Sequence, residues 1–237
     1  MKPIAIFQHY PGAGPGHFLD FARRSKLPVR IFCGFLGESL PSSIQNFSGL
    51  VSMGGPMSVN DCVDFIEQEA RLIDQALSLE IPVLGHCLGS QLLARALGAS
   101  IEKNQPAAWE IGWHPVNAAT TEHDDWIESL NGAEVFHWHN ENFTLPSGAT
   151  RLLENAHSTN QAFLHGPHLG VQFHIEITEA MVKDWCDISD DPQNWQHLPS
   201  VQNVSEIQRA LTQRITRSNL MADQIYQRWS LGLFNQD

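Results

Sequence analysis

The sequence predicts an α/β protein: an open, mostly parallel central sheet with helices on both faces, plus a C-terminal helical extension. Three observations point there. Short apolar runs alternate with segments of helical period through the first half of the chain, the pattern of β-α-β units. One junction, residues 81–98 (IPVLGHCLGSQLLARALG), passes from a buried strand into a helix through a glycine-flanked turn. The composition, 42% hydrophobic and 17% charged over 237 residues, is that of a folded chain. At this length about 70–75% of the unfolded surface can be buried, so a core needs neither disulfides nor metal.

Residues 4–9 (IAIFQH) read as a first buried strand, ended by the Pro/Gly-rich stretch 11–16. Residues 18–26 have helical period. A second strand covers 29–33 (VRIFC), and a third, 49–53 (GLVSM), runs into Gly54, Gly55 and Pro56. Asn60 or Asp61 is placed to cap a helix whose apolar positions Phe65, Ile66, Leu72, Ile73 and Leu77 recur at helical steps. Residues 81–84 make a fourth strand and 88–97 a helix stopped by Gly98. Short strands at 110–117, 133–137, 151–153, 161–164 and 169–174 suit an antiparallel extension of the sheet. Residues 178–187 form a short helix and 188–202 a polar connector. From 204 to about 233 runs one long helix with a stripe of Ile207, Leu211, Ile215, Ile225 and Trp229. The expected organisation is a principal domain, 1–187, with a connector and helical extension, 188–237, packed on it. The stripe serves that packing or forms a homodimer or partner surface.

Fourteen Lys and Arg stand against 26 Asp and Glu, a net charge of −12. A protein that neutralises phosphates needs a basic surface, so neither nucleic acid nor an acidic membrane is expected as partner. Cys33, Cys62, Cys87 and Cys186 include no C-x-x-C pair and read as reduced thiols of a cytoplasmic protein. The first apolar run is far shorter than the about 7–15 residues of a secretory signal or the about 20 of a membrane span, so neither is expected.

Cys87 sits where a nucleophile gains most. A strand–turn–helix junction lifts the side chain above the sheet edge. Gly85 and Gly89 let strand and helix approach closely. The helix N-terminus favours a thiolate and can receive an oxyanion. A thiol nucleophile needs a base, usually a histidine oriented by a third group. His174 and Glu176, two apart at the end of another strand, face the same side, so the carboxylate can reach the ring. His86, the chain neighbour of Cys87, should point away from it. His165 and His168 flank a turn and are expected in solvent. His137 and His139 offer two alternating imidazoles, but no third ligand is spaced to complete a set, and no metal is expected.

These segments carry a resemblance. GHCLGSQ (85–91) matches the G-x-C-x-G-x-Q nucleophile motif of class I, triad-type glutamine amidotransferases. QFHIE (172–176) is similar to that family's QFHPE, MGGPMS (53–58) to its GGP oxyanion loop, and EVFHWHNENFTLPSGA (134–149) to its third motif. The four occur in family order, and the chain most resembles stand-alone members similar to the glutaminase domain of GMP synthase. The resemblance implies a flavodoxin-like sheet and no cofactor. It implies a Cys87–His174–Glu176 triad, with an oxyanion site at the N–H of Leu88 and the Gly54-Gly55 turn. Gln91 and the loop of Trp138, His139 and Asn140 would contact the substrate. Two positions depart from the pattern. Ile175 replaces a proline, and Asn140-Glu141 replaces Gly-Asp, where asparagine tolerates a left-handed turn.

The implied activity is hydrolysis of L-glutamine through a cysteinyl thioester, releasing ammonia for an acceptor on a separate synthetase chain. A γ-glutamyl peptidase or hydrolase with the same triad, acting on another γ-glutamyl compound, is the alternative. A non-catalytic binding protein of the same fold is a third, which the intact triad disfavours.

Overall fold

Strands β1 (Ile4–Phe7), β2 (Val29–Phe32), β3 (Gly49–Ser52), β4 (Val83–His86) and β12 (His168–Val171) lie parallel in the order β2-β1-β3-β4-β12. This computed structural model describes residues 1–103, 109–120, 126, 128 and 130–234. Beyond β12 the sheet continues antiparallel through β11 (Ala162–His165), β10 (Thr150–Glu154) and β7 (Asn117–Ala118), making eight strands. The other strands stay outside it. β5 (Ile101–Lys103) pairs with β9 (Glu141–Phe143), and β6 (Glu110–Pro115) with β8 (Glu134–His139). The antiparallel extension is therefore real, but four strands form separate ribbons over the C-terminal edge.

Alternation along β1 sorts the core. Ile4 and Ile6 face one side with Phe18, Phe21, Val51, Leu84 and Trp229. Ala5 and Phe7 face the other with Leu50, Ile66, Ile73, Val83 and Leu92. Helix α1 (Gly16–Arg24) and the last helix, α7 (Leu211–Ser230), cover the first face, where the Phe18 ring meets Tyr226 edge-on at 5.0 Å. Helices α2 (Asp64–Ser78) and α3 (Leu88–Ala96) cover the second. A smaller core joins the β6–β8 ribbon to α4 (Glu179–Ile188), α6 (Val204–Gln208) and the start of α7. All five stripe residues of the C-terminal segment are buried within this chain. Among the described residues no helix is long and apolar enough to cross a membrane.

Four local expectations are corrected. The polar connector holds a short helix, α5 (Asp191–Trp195). The terminal helix breaks at Ala210, which is left-handed with φ 52°. Tertiary bonds cause the break: the Trp113 indole donates to Ile207 O at 3.1 Å and Arg214 donates to Glu206 O at 2.9 Å, occupying carbonyls that a continuous helix would use. Neither Asn60 nor Asp61 caps α2. Its N-cap is Val63, with no side-chain bond, while the Asn60 amide donates to Ile101 O and Asp61 accepts from Ser58 N–H. His168 is buried rather than solvated, which lowers its pKa to about 4, with His165 adding to the effect.

Candidate active site

β3, β4 and β12 are neighbours, and each is followed directly by a site segment: Gly54-Gly55, Cys87, and 172–176. The crevice beyond the C-terminal ends of parallel strands is where such sheets take ligands. The sharpest bend is at Cys87, which has φ 48° and ψ −107° and donates its N–H to Val171 O at 2.8 Å. A non-glycine residue held there is strained and must be over-determined by its surroundings. Here the flanking glycines do that. A Cβ on Gly85 would lie 2.5 Å from Gly89 O, and one on Gly89 2.1 Å from Ser52 O.

His174 is anchored by its N–H to Phe136 O at 2.8 Å. Its Nδ1 lies 2.6 Å from Glu176 Oε1, and the Trp185 ring meets it edge-on at 4.9 Å. The Glu176 backbone carbonyl accepts from His17 N–H at 2.8 Å. Burial alone would lower the His174 pKa, but the Glu176 carboxylate and Cys87 outweigh it and hold the ring well above its ordinary value. Burial likewise opposes ionisation of Glu176, and His174 followed by His86 overcomes it, keeping the carboxyl below its usual range. His86 does leave the Cys87 face, yet it is not remote: its Nε2 is 3.9 Å from Glu176 Oε2 and 3.2 Å from Tyr226 Oη. It backs the carboxylate from within the core, where burial lowers its own pKa.

A cavity of about 480 Å³ opens over Cys87. Gly55, Leu88, Gln91, Trp138, His139, Asn140 and His174 all line it, and Gly54 abuts it, since a Cβ there would lie 2.8 Å from His174 Cε1. Glu176 stands behind His174, outside the lining. The Gln91 amide donates to Glu141 O at 3.1 Å and Gln172 Oε1 at 3.2 Å, and the Gln172 amide reaches Cys87 Sγ at 3.6 Å. Asn140 is not left-handed. The loop is held instead by side chains: Ser58 Oγ donates to Glu141 Oε2 at 2.7 Å, and His139 Nδ1 donates to Glu141 O at 3.1 Å.

Three groups escaped the sequence reading. Trp185 walls the cavity beside His174. Glu110 is the third group that spacing did not offer near His137 and His139: its oxygens lie 3.4 Å from His137 Nδ1 and 3.2 Å from His139 Nε2, all buried. These three could hold a divalent cation. Glu110 also accepts from the amides of Asn155 (2.5 Å) and Gln161 (2.8 Å). Burial opposes its charge, but His137 and its other partners hold it well below the usual carboxylate range, while burial drops His137 to about 3. Glu69 is the last of the three, a carboxylate on the core-facing stripe of α2 between Ile66 and Leu72, bonded to His9 at 2.6 Å. Its place on an apolar stripe is the signal that could have found it.

The family description "Glutamine amidotransferase class-I" matches residues 37–182. The glutamine amidotransferase-like protein YfeJ of Salmonella typhimurium is 35% identical over 176 residues, covering 71% of this chain and 73% of that one. One of the subunits of the glutamine-hydrolysing GMP synthase of Sulfolobus acidocaldarius is 31% identical over 139 residues, 56% of this chain and 70% of that one. Among solved structures, a glutamine amidotransferase from Methylobacillus flagellatus superposes with a TM-score of 0.93 at 37% identity, covering 98% of this chain and 95% of the other.

Proposed function

The chain belongs to the class I glutamine amidotransferase family, and from that premise we propose that it hydrolyses the side-chain amide of glutamine through a thioester on Cys87. The observation that carries the reading is the convergence of Cys87, on a strained elbow, with the His174–Glu176 pair from the adjacent strand. Cys87 Sγ gives its proton to His174 Nε2 and attacks the γ-carbonyl. The oxyanion is met by the N–H of Leu88 and one from the Gly54-Gly55 turn, each donor contributing about 3–4 kcal/mol. His174 gives its proton to the departing nitrogen, the C–N bond breaks and ammonia leaves. Water then attacks the thioester with His174 as base, releasing glutamate and restoring the thiol. Glu176 fixes the ring tautomer and balances its charge. Gln91 and the 138–140 loop hold the amino-acid head group. Residues 1–187 carry this chemistry, and 188–237 brace it, with Ser189 and Asp191 reaching the cavity rim.

The likeness to one of the subunits of a glutamine-hydrolysing GMP synthase supports delivery of the ammonia to an acceptor on a separate chain. One observation favours a second reading, cleavage of γ-glutamyl peptides: the cavity is lined by Tyr10, Trp109, Trp138 and Trp185, more apolar wall than ammonia needs. Mass spectrometry after incubation with glutamine, and separately with glutathione, tests the shared step. A glutamyl adduct on Cys87 with either substrate is expected. Its absence with both, under conditions that trap thioesters, overturns the reading.

A further inference from the structure

The geometry points to His9 and Glu69 as positioning residues: this buried pair locks the Gly54–Gly55 peptide with its N–H turned toward Cys87, as the oxyanion site requires. The inference deepens the reading of Cys87 as nucleophile and rests on it.

Both side chains are 1% exposed. Glu69 accepts from Ser52 Oγ at 2.5 Å through one oxygen and faces His9 Nε2 at 2.6 Å through the other. The opposite ring nitrogen, Nδ1, faces Gly54 O at 3.3 Å. An ionised carboxylate and a peptide carbonyl are both acceptors only, so the ring must donate from both nitrogens, which makes it an imidazolium. The electrostatics agree: burial opposes that charge, but Glu69 outweighs it and raises the His9 pKa. The charge pair is desolvated, and each member keeps the other from being buried alone.

The consequence falls on one peptide. In a trans peptide the C=O and the following N–H point opposite ways. Holding Gly54 O on the His9 side therefore turns Gly55 N–H to the other side, where the cavity and Cys87 lie. Gly54 is already pressed against that site, since a Cβ there would lie 2.8 Å from His174 Cε1 and 3.7 Å from Cys87 Cβ. A Gly-Gly peptide has no side chain of its own to fix which way it faces. The imidazolium supplies the missing constraint from the segment after β1, and Glu69 supplies it from α2.

The test is the double variant His9→Phe/Glu69→Met. It removes both polar partners together, keeps an aromatic ring against Phe65, and leaves no charge buried alone. His9→Gln is the second variant: it can still donate to Glu69 but has no second nitrogen for Gly54. Turnover of glutamine or a γ-glutamyl anilide should fall about 10²–10³-fold in kcat in both, with KM little changed. Alkylation of Cys87 by iodoacetamide, which builds no oxyanion, should keep its wild-type rate. Either folded variant turning over at the wild-type kcat overturns the lock, as does a loss of alkylation that parallels the loss of turnover. Failure of the wild-type protein to turn over either substrate overturns the nucleophile reading instead, and the lock with it.

Discussion

His174 Nδ1 lies 2.6 Å from Glu176 Oε1, and both side chains are buried. An ionised carboxylate only accepts, so Nδ1 carries a proton, and Nε2 is left to exchange one with the thiol. His174→Ala should cost roughly 10²–10⁴-fold in kcat. Glu176→Gln should cost less, because an amide oxygen still accepts from the ring. The same variant carries a pH signature. Glu176 is the leading cause that raises His174, so removing its charge lowers the ring's pKa. Protonation of the leaving group needs the imidazolium, so activity falls as pH rises through that pKa. The alkaline limb of kcat against pH should therefore move to lower pH in Glu176→Gln. An unmoved limb means that another group sets it.

Cys87 is the one cysteine on a strained elbow at a helix N-terminus. Cys33 and Cys186 are raised, chiefly by burial, away from thiolate character. A glutamine-like diazo-ketone should label Cys87 alone, read by peptide mass spectrometry. Cys87→Ser should lose turnover and keep the wild-type Tm. Labelling spread over all four thiols would end the claim of a uniquely activated one.

The parts of the site written in contiguous residues were legible. The elbow at Cys87 needs Gly85 and Gly89 beside it, and the His174–Glu176 pair needs only two-residue spacing on one strand end. The parts assembled through space were not. Glu110 comes from β6 to meet two histidines of β8, and Glu69 comes from α2 to meet His9 after β1. The same distinction explains the broken terminal helix. Its apolar stripe was visible in the sequence, but the break at Ala210 follows from Trp113 and Arg214 occupying its carbonyls. His168 was expected in solvent from its turn-flanking position, and packing of the strand buries it.

Buried histidines also set how stability depends on pH. His86, His114, His137 and His168 have pKa values lowered, chiefly by burial. Below the unfolded value near 6.5 the unfolded chain protonates them while the folded chain does not, so stability falls with acid, by at most about 1.4 kcal/mol per pH unit for each. For His137 that window runs down to about 3. His9 and His174 are raised. Their stabilisation is complete below the unfolded pKa and is lost as pH rises through the folded one. Tm should therefore peak near neutrality and fall on both sides. A Tm that stays flat from pH 7 to 5 contradicts neutral burial of the four.

Glu110 separates a metal centre from a charge hub. Its carboxylate already accepts from Asn155 and Gln161 and faces two imidazoles. That arrangement satisfies an acceptor-only group without a cation. A chelator should leave both turnover and Tm unchanged. Loss of either, restored by zinc, would make Glu110, His137 and His139 ligands. Glu110→Ala leaves the amides of Asn155 and Gln161 without their acceptor, and should destabilise by about 1–3 kcal/mol for each in urea unfolding.

The wall beside His174 bears on which amine departs in the proposed reaction. In the proposed reaction His174 hands its proton to the leaving nitrogen, so any substituent on that nitrogen would emerge past the residues that pack on His174. One of them is Trp185, whose ring centroid is 4.9 Å away and which meets Trp138 edge-on at 5.7 Å. Ammonia gains nothing from such a wall, whereas an apolar amine buries surface against it at about 25 cal/mol per Å². Trp185→Ala should therefore leave kcat/KM for glutamine within a few-fold of wild type if a partner chain receives ammonia there. It should lower kcat/KM for an apolar γ-glutamyl amide by roughly ten-fold or more if that amine binds the wall, 1.4 kcal/mol being one factor of ten. Measuring both substrates on the isolated wild-type protein ranks the two readings. A clear preference for the γ-glutamyl amide, lost in Trp185→Ala, makes the protein a γ-glutamyl hydrolase that needs no partner. A preference for glutamine, indifferent to Trp185, leaves the ammonia-delivering reading in place.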